Sequence, residues 1–214
     1  MTAYSEAENN SRWATQHFRQ FLQDVIQKTG AQTVHLIAHS MGNRVVTDAL
    51  MELYWILSAA EKDVLGEVIL TAPDIDADVF VEQIAPRITE MNSAVTLYAS
   101  DRDSALATSK RVHGYPRIGD FGAIRLLPLL PTAVEFIDAS DVDTDSLGHS
   151  YYGNSESVIS DICHLIGTRT RANTRSLTLA DAVFDHGAAY WSVKRETSIA
   201  DVVAAIEKRL RSVG

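Results

Sequence analysis

The sequence predicts an α/β protein built on a parallel sheet, and three observations carry that reading. Short apolar runs at 33–38, 67–71, 94–99 and 133–137 are bounded by turn residues, as strands covered on both faces are. Segments with apolar residues at helical spacing separate them, and strands that alternate with helices pair in parallel. The first run, in VHLIAHSMGNRVVTDAL, passes straight into a helix across a corner that carries a serine.

The elements follow in order. Residues 11–28 form an amphipathic helix, with Trp13, Phe18, Phe21, Leu22, Val25 and Ile26 expected on its inner side and Ser11 as a possible cap. After strand 33–38, Val45, Val46, Ala49, Leu50 and Leu53 recur at helical spacing up to about residue 58. Strand 67–71 ends in APDIDADVF, which opens a helix over 77–85. Strand 94–99 ends in SDRDSAL, and a helix follows over 103–111. Residues 112–132 are irregular and rich in Gly and Pro. Strand 133–137 leads into DASDVDTDSLGHSYYG, then a helix over 155–167. The tail, 168–214, reads as a C-terminal helical extension with a final helix over 199–210, and Tyr190 and Trp191 read as core or interface anchors.

Composition sets limits. With 214 residues, 46% of them hydrophobic, the chain has the length for one domain with a substantial core. A net charge of -9 argues against a nucleic-acid partner, which calls for a basic face. No apolar run is long enough to span a bilayer, and MTAYSEAENN is too acidic and polar for a signal peptide. The chain as given, without an integral membrane segment, is expected in the cytoplasm, and the localisation of a longer protein that contains it is left open. Cys163 is the single cysteine, which excludes an intrachain disulfide. It shares a helix phase with Ile159, Ile162 and Ile166 and reads as a core thiol. His113 and His186 lack metal-ligand spacing, so no metal and no cofactor are expected.

The corner at Ser40 has the form of a nucleophile elbow, A-x-S-x-G instead of the usual G-x-S-x-G. So sharp a turn asks for small residues two before and two after the serine, here Ala38 and Gly42. The following helix points its first N–H groups back at the serine, where an oxyanion would form, and Met41 supplies the N–H that can be assigned. Ligand sites in parallel sheets lie at the carboxyl ends of the strands. That rule gathers Ser40, Asp74 with Asp76, Asp101 with Asp103, and His149 on four loops. Ser, Asp and His then follow in the chain order of an α/β-hydrolase. Asp74 and Asp76 read as helix-initiating residues, and Asp103 as either a triad acid or an N-cap. His39 reads as a structural or pocket residue. Leu126 and Leu127, in LLPLLPT, either line an acyl pocket or lid or pack against the C-terminal helix.

HLIAHSMGNRVV, APDIDADVF, LYASDRDSAL, HGYPRIGD and DASDVDTDSLGHSYY resemble the bacterial α/β-hydrolases catalogued as domain-of-unknown-function nine hundred, over roughly residues 4–165. The resemblance implies a lipase- or esterase-like serine hydrolase with Ser40 as nucleophile, Asp103 as acid and His149 as base. It also implies a small-molecule ester or lipid-like substrate. A full α/β-hydrolase carries further strands before the elbow. Here only one helix precedes it, so the chain is expected to hold the C-terminal half of the fold, about four strands. The elbow strand would then lie at an open edge, which predicts a homo-oligomer. The competing expectation is a weak or inactive hydrolase fragment that serves as a binding or oligomerisation module.

Overall fold

The computed structural model describes residues 3–142, 151–185 and 187–213. A long helix, α1 (Ala3–Lys28), precedes β1 (Val34–His39), which turns into α2 (Gly42–Ile56). After the short α3 (Ala59–Lys62) come β2 (Leu65–Thr71), α4 (Ala77–Val79), a π-helical turn (Phe80–Ile84) and α5 (Ala85–Glu90). Then follow β3 (Ala94–Ala99), α6 (Ser104–His113), a 3₁₀ segment (Phe121–Leu129) and β4 (Val134–Asp138). The chain ends with α7 (Tyr151–Asn154), α8 (Glu156–Thr168), β5 (Val183–Asp185), β6 (Ala188–Ser192) and α9 (Ile199–Val213).

Among the described residues the strands form one six-stranded sheet in the order β1-β2-β3-β4-β6-β5. All neighbours are parallel except the β5–β6 hairpin. The register sets His39 beside Thr71, Thr71 beside Tyr98 and Tyr98 beside Ile137. The carboxyl ends of four strands are therefore level, and the loops that leave them share one rim.

Both faces of β2, β3 and β4 are covered, which is why these strands read as continuous apolar runs, whereas β1 at the sheet edge leaves Ile37 47% exposed. On one face Leu36 and Ala38 join Val46, Leu50 and Leu53 of α2 and Leu22 and Ile26 of α1 in one core cluster. On the other, Ile69, Tyr98 and Ile137 pack with Val158, Ile162 and Leu165 of α8. Each fully buried leucine or isoleucine contributes about 2 kcal/mol.

α1 buries a narrower stripe than expected. Leu22 and Ile26 are buried, but Trp13 is 73% and Phe21 63% exposed. Trp13 stands about 2.5 turns before Leu22 and so faces the opposite way. Ser11 lies inside the helix, where its carbonyl accepts the Thr15 hydroxyl at 3.0 Å instead of its side chain capping the end. The helix after β2 takes a π-helical turn before Pro86, which sits in the first turn of α5 where its missing N–H is tolerated. Cys163 is half-buried.

The segment after residue 168, expected as a helical extension, ends in α9 but also adds β5 and β6 to the sheet. It is fastened by charge. Arg175, with no exposed surface, donates from Nε to Asp161 Oδ1 at 3.0 Å and from NH1 to Glu135 Oε2 at 3.1 Å. The hydroxyls of Tyr98 and Thr178 also donate to Asp161. Burial pushes the Tyr98 hydroxyl well above its usual pKa, and the Asp161 carboxylate adds to the effect. Arg171 pairs with Glu67 at 2.8 Å, and the Ala172 N–H donates to Glu135 Oε1 at 2.6 Å. Two glutamates inside strands, Glu67 and Glu135, are thus explained by the arginines that neutralise them.

Candidate active site

The elbow forms where the sequence places it. Ser40 sits between β1 and α2 with φ 52°, in the left-handed region that an L-residue occupies only under strain. Its N–H donates to the Thr71 carbonyl at 3.1 Å, so the corner is still tied to the β2 ladder. Asn43 fastens it from below. Its side-chain amide donates to Ser40 O at 2.8 Å and to Thr71 O at 3.0 Å, and the residue is wholly buried. Met41 is the N-cap position of α2, so its N–H belongs to the unsatisfied first turn of that helix. The small residue at 42 is not enforced by packing. A Cβ added to Gly42 would meet nothing within 4 Å, contrary to the tight flank expected there.

The two acids after β3 differ sharply. Asp103 is 4% exposed and caps α6, its Oδ1 accepting the Leu106 N–H at 2.9 Å. Asp101 is exposed, with Arg102 Nε 3.9 Å from its carboxylate. The cap uses one carboxylate oxygen of Asp103, and the triad role asks for the other.

His149 lies outside the described residues, as does His186. Tyr152, three residues after His149, stacks its ring on His39 with centroids 4.4 Å apart and planes at 27°. His39 adjoins Ser40, so α7 is held at the elbow. Sequence reasoning left His39 as a pocket or structural residue and missed its partner.

Leu126 and Leu127 do not reach this rim. Leu127 is buried and lines a groove with Val134 and Glu135, the first residues of β4, at the opposite end of the strands. Leu126 packs on the core beside it. The 3₁₀ segment runs down the sheet to start β4, and that carries the LLPLLPT leucines away from the serine.

Asp76 does cap α4, accepting the N–H groups of Asp78 and Val79. Asp74 does something else. It is 2% exposed and accepts the Ser109 hydroxyl at 2.6 Å, with Arg117 Nε 3.2 Å from the same oxygen. Arg44 of α2 donates from Nε to the Asp74 carbonyl at 2.7 Å, with NH2 3.7 Å from the carboxylate. Arg117 belongs to HGYPRIGD, whose Gly119 fits against the same loop. A Cβ there would sit 2.6 Å from the Pro73 nitrogen and 2.8 Å from Ala72 C, so only glycine fits. A cleft of about 380 Å³ opens beside this cluster, lined by Arg44, Thr47, Ile75, Val79, Tyr115 and Arg117 among others.

Burial raises the pKa of Asp138, at the end of β4, above the usual carboxylate value, and the nearby Asp101 and Asp141 add to it. Among the described residues no His, Cys, Asp and Glu side chains gather in a group able to hold a metal ion. None of the described helices is long and apolar enough to cross a membrane.

A family model described as alpha/beta hydrolase of unknown function (DUF900) matches residues 1–169. No curated protein and no solved structure matches the chain.

Proposed function

From the premise that this chain belongs to the family of alpha/beta hydrolases of unknown function, we propose that it cleaves carboxylic esters through a serine nucleophile. The observation that carries this reading is Ser40 at φ 52° on the corner between β1 and α2. A strained backbone at a serine raised above the sheet is what an exposed nucleophile requires, and a helix cap alone does not require it.

In the proposed reaction the Ser40 hydroxyl attacks the ester carbonyl carbon while His149 takes its proton. The negative charge that develops on the carbonyl oxygen faces the Met41 N–H at the start of α2. The alcohol leaves with the proton that His149 returns, and an acyl-Ser40 ester remains. Water, deprotonated by His149, then releases the acid and restores the serine. Asp103 would hold the imidazole in the tautomer that accepts the Ser40 proton. Its burial beside the end of β3 supports this role over the exposed Asp101. The stacking of Tyr152 on His39 supports the assignment of His149, because it brings the chain three residues later against the elbow.

The test is labelling by a fluorophosphonate together with p-nitrophenyl ester turnover. Ser40→Ala and His149→Ala are expected to lower turnover by roughly 10⁴-fold or more, with labelling lost in Ser40→Ala. Labelling of Ser40→Ala at the wild-type rate rejects Ser40. Loss of activity in Asp101→Asn, with Asp103→Asn active, moves the acid to Asp101.

A further inference from the structure

The sheet fixes the heights of the strand ends, yet Asp103 lies four residues beyond β3, past the last ladder bond. Something else must set its distance from Ser40. The structure puts one buried carboxylate between the two helices concerned. Arg44, from the first turn of α2, the helix that begins at the elbow, donates to the Asp74 main-chain carbonyl at 2.7 Å and brings its guanidinium within 3.7 Å of the carboxylate. Asp74 also receives the Ser109 hydroxyl from α6, the helix that Asp103 caps. Arg117 closes the cluster, donating from Nε to Ser109 Oγ at 3.1 Å while lying 3.2 Å from Asp74. His113 Nδ1 sits 3.0 Å from the Ser109 carbonyl. Asp74, Ser109 and Arg117 are each buried, so water is not at hand to replace a partner lost from the cluster.

We propose that Asp74, with Ser109 and Arg117, is the positioning device of the active site: it locks the helix of the nucleophile to the helix of the triad acid. The inference rests on the serine-hydrolase reading above and deepens it. Asp74 serves as a positioning residue. It acts through α6 on Asp103, and through Asp103 on the imidazole.

A role in positioning has a signature that packing alone lacks. If α6 shifts, the carboxylate of Asp103 moves relative to His149, and the pH at which the serine becomes reactive moves with it. The experiment measures the second-order rate of fluorophosphonate labelling against pH for wild type, Ser109→Ala, Asp74→Asn and Ile88→Val. The rates are normalised to folded protein by circular dichroism. Ile88 is fully buried on α5 and serves as a control for simple destabilisation. Ser109→Ala and Asp74→Asn are expected to slow labelling on the order of tenfold, as small misplacements do, and to move the pH midpoint to lower values. Ile88→Val is expected to keep both. A lowered thermal midpoint in Ser109→Ala, with the wild-type rate and pH midpoint, overturns the inference. If Asp74→Asn does not fold, Ser109→Ala decides alone. A wild type that is not labelled at any pH rejects the serine-hydrolase reading, and the positioning role with it.

Discussion

Two buried carboxylates each hold an arginine that arrives late in the chain, and they serve different ends. Asp161 lies on α8 beneath the middle of the sheet, where Arg175, Thr178 and Tyr98 converge on it. Among the described residues its partners come from β3 and from the turn that follows α8. Asp74 lies on the rim, and its partners Arg44, Ser109 and Arg117 belong to the segments that carry the elbow and the acid. The same chemistry therefore fixes the C-terminal segment to the sheet in one place and, on the reading proposed above, the geometry of the site in the other. A buried pair reports on function only through what its partners are attached to.

The comparison can be broken by experiment, starting with the largest effect. Arg175→Ala leaves Asp161 without its cation and Glu135 with only Arg171, 3.7 Å away, and should cost about 3–5 kcal/mol in denaturant unfolding. The labelling rate per folded molecule should not change, and a tenfold fall would erase the distinction between the two clusters. Gly119→Ala forces backbone away from Pro73 and Ala72 and should cost about 1–3 kcal/mol. Unlike Arg175→Ala, it should also slow labelling, because the loop that holds Asp74 moves. At the elbow, Ser40→Gly should be more stable than Ser40→Ala by about 1 kcal/mol, since glycine alone adopts a positive φ without strain. Equal stabilities by thermal unfolding would remove strain from the account of the elbow.

The pH dependence of stability sharpens the stability side of the comparison. His35 is held below the ordinary histidine pKa, chiefly by burial and then by Arg169, and its Nδ1 accepts the Glu67 N–H at 3.0 Å. Burial likewise lowers His164, beside Asp161. Both take up protons at lower pH in the native state than in the unfolded chain, which protonates them below a pH of about 6.5. Stability is therefore present above that pH and falls as pH drops through it. His35→Asn should flatten the fall between pH 7.5 and 5.5 in urea midpoints, and an unchanged slope would exclude His35 as a contributor. The smallest effect belongs to Gly42→Ala, which meets open space and should stay within about 0.5 kcal/mol of wild type.

Much of this was legible in the sequence, for identifiable reasons. The central strands showed as apolar runs because both of their faces are covered, and the elbow showed because strand, corner and helix are contiguous. The N-cap role of Asp103 could be named because it precedes a helix on a strand-end loop, where the acid proposed for the triad is also expected. The Asp74 cluster was not legible. Its members are 30 or more residues apart except Ser109 and Arg117, and no periodicity links them. The leucines of LLPLLPT misled because nearness in sequence to the site loops does not reveal that the chain runs down the sheet. Trp13 and Phe21 misled because a hydrophobic residue on a helix need not lie on its buried stripe. In the tail, alternation was too short to reveal β5 and β6, and their pairing depends on β4.

The junction of β4 and β6 has one more consequence. Among the described residues the two strands pair at Ile137 with Trp191 and Asp138 with Ser192, and they diverge around a groove of about 510 Å³. A hairpin held at one end behaves as a flap, and its amide protons should exchange with solvent well before those of β2 and β3. Trp191 is half-buried in that flap, while Trp13 and Trp55 are 73% and 74% exposed. Intrinsic fluorescence of this protein should therefore report the opening of the flap ahead of global unfolding, and a red shift of its emission should precede the loss of helical circular dichroism.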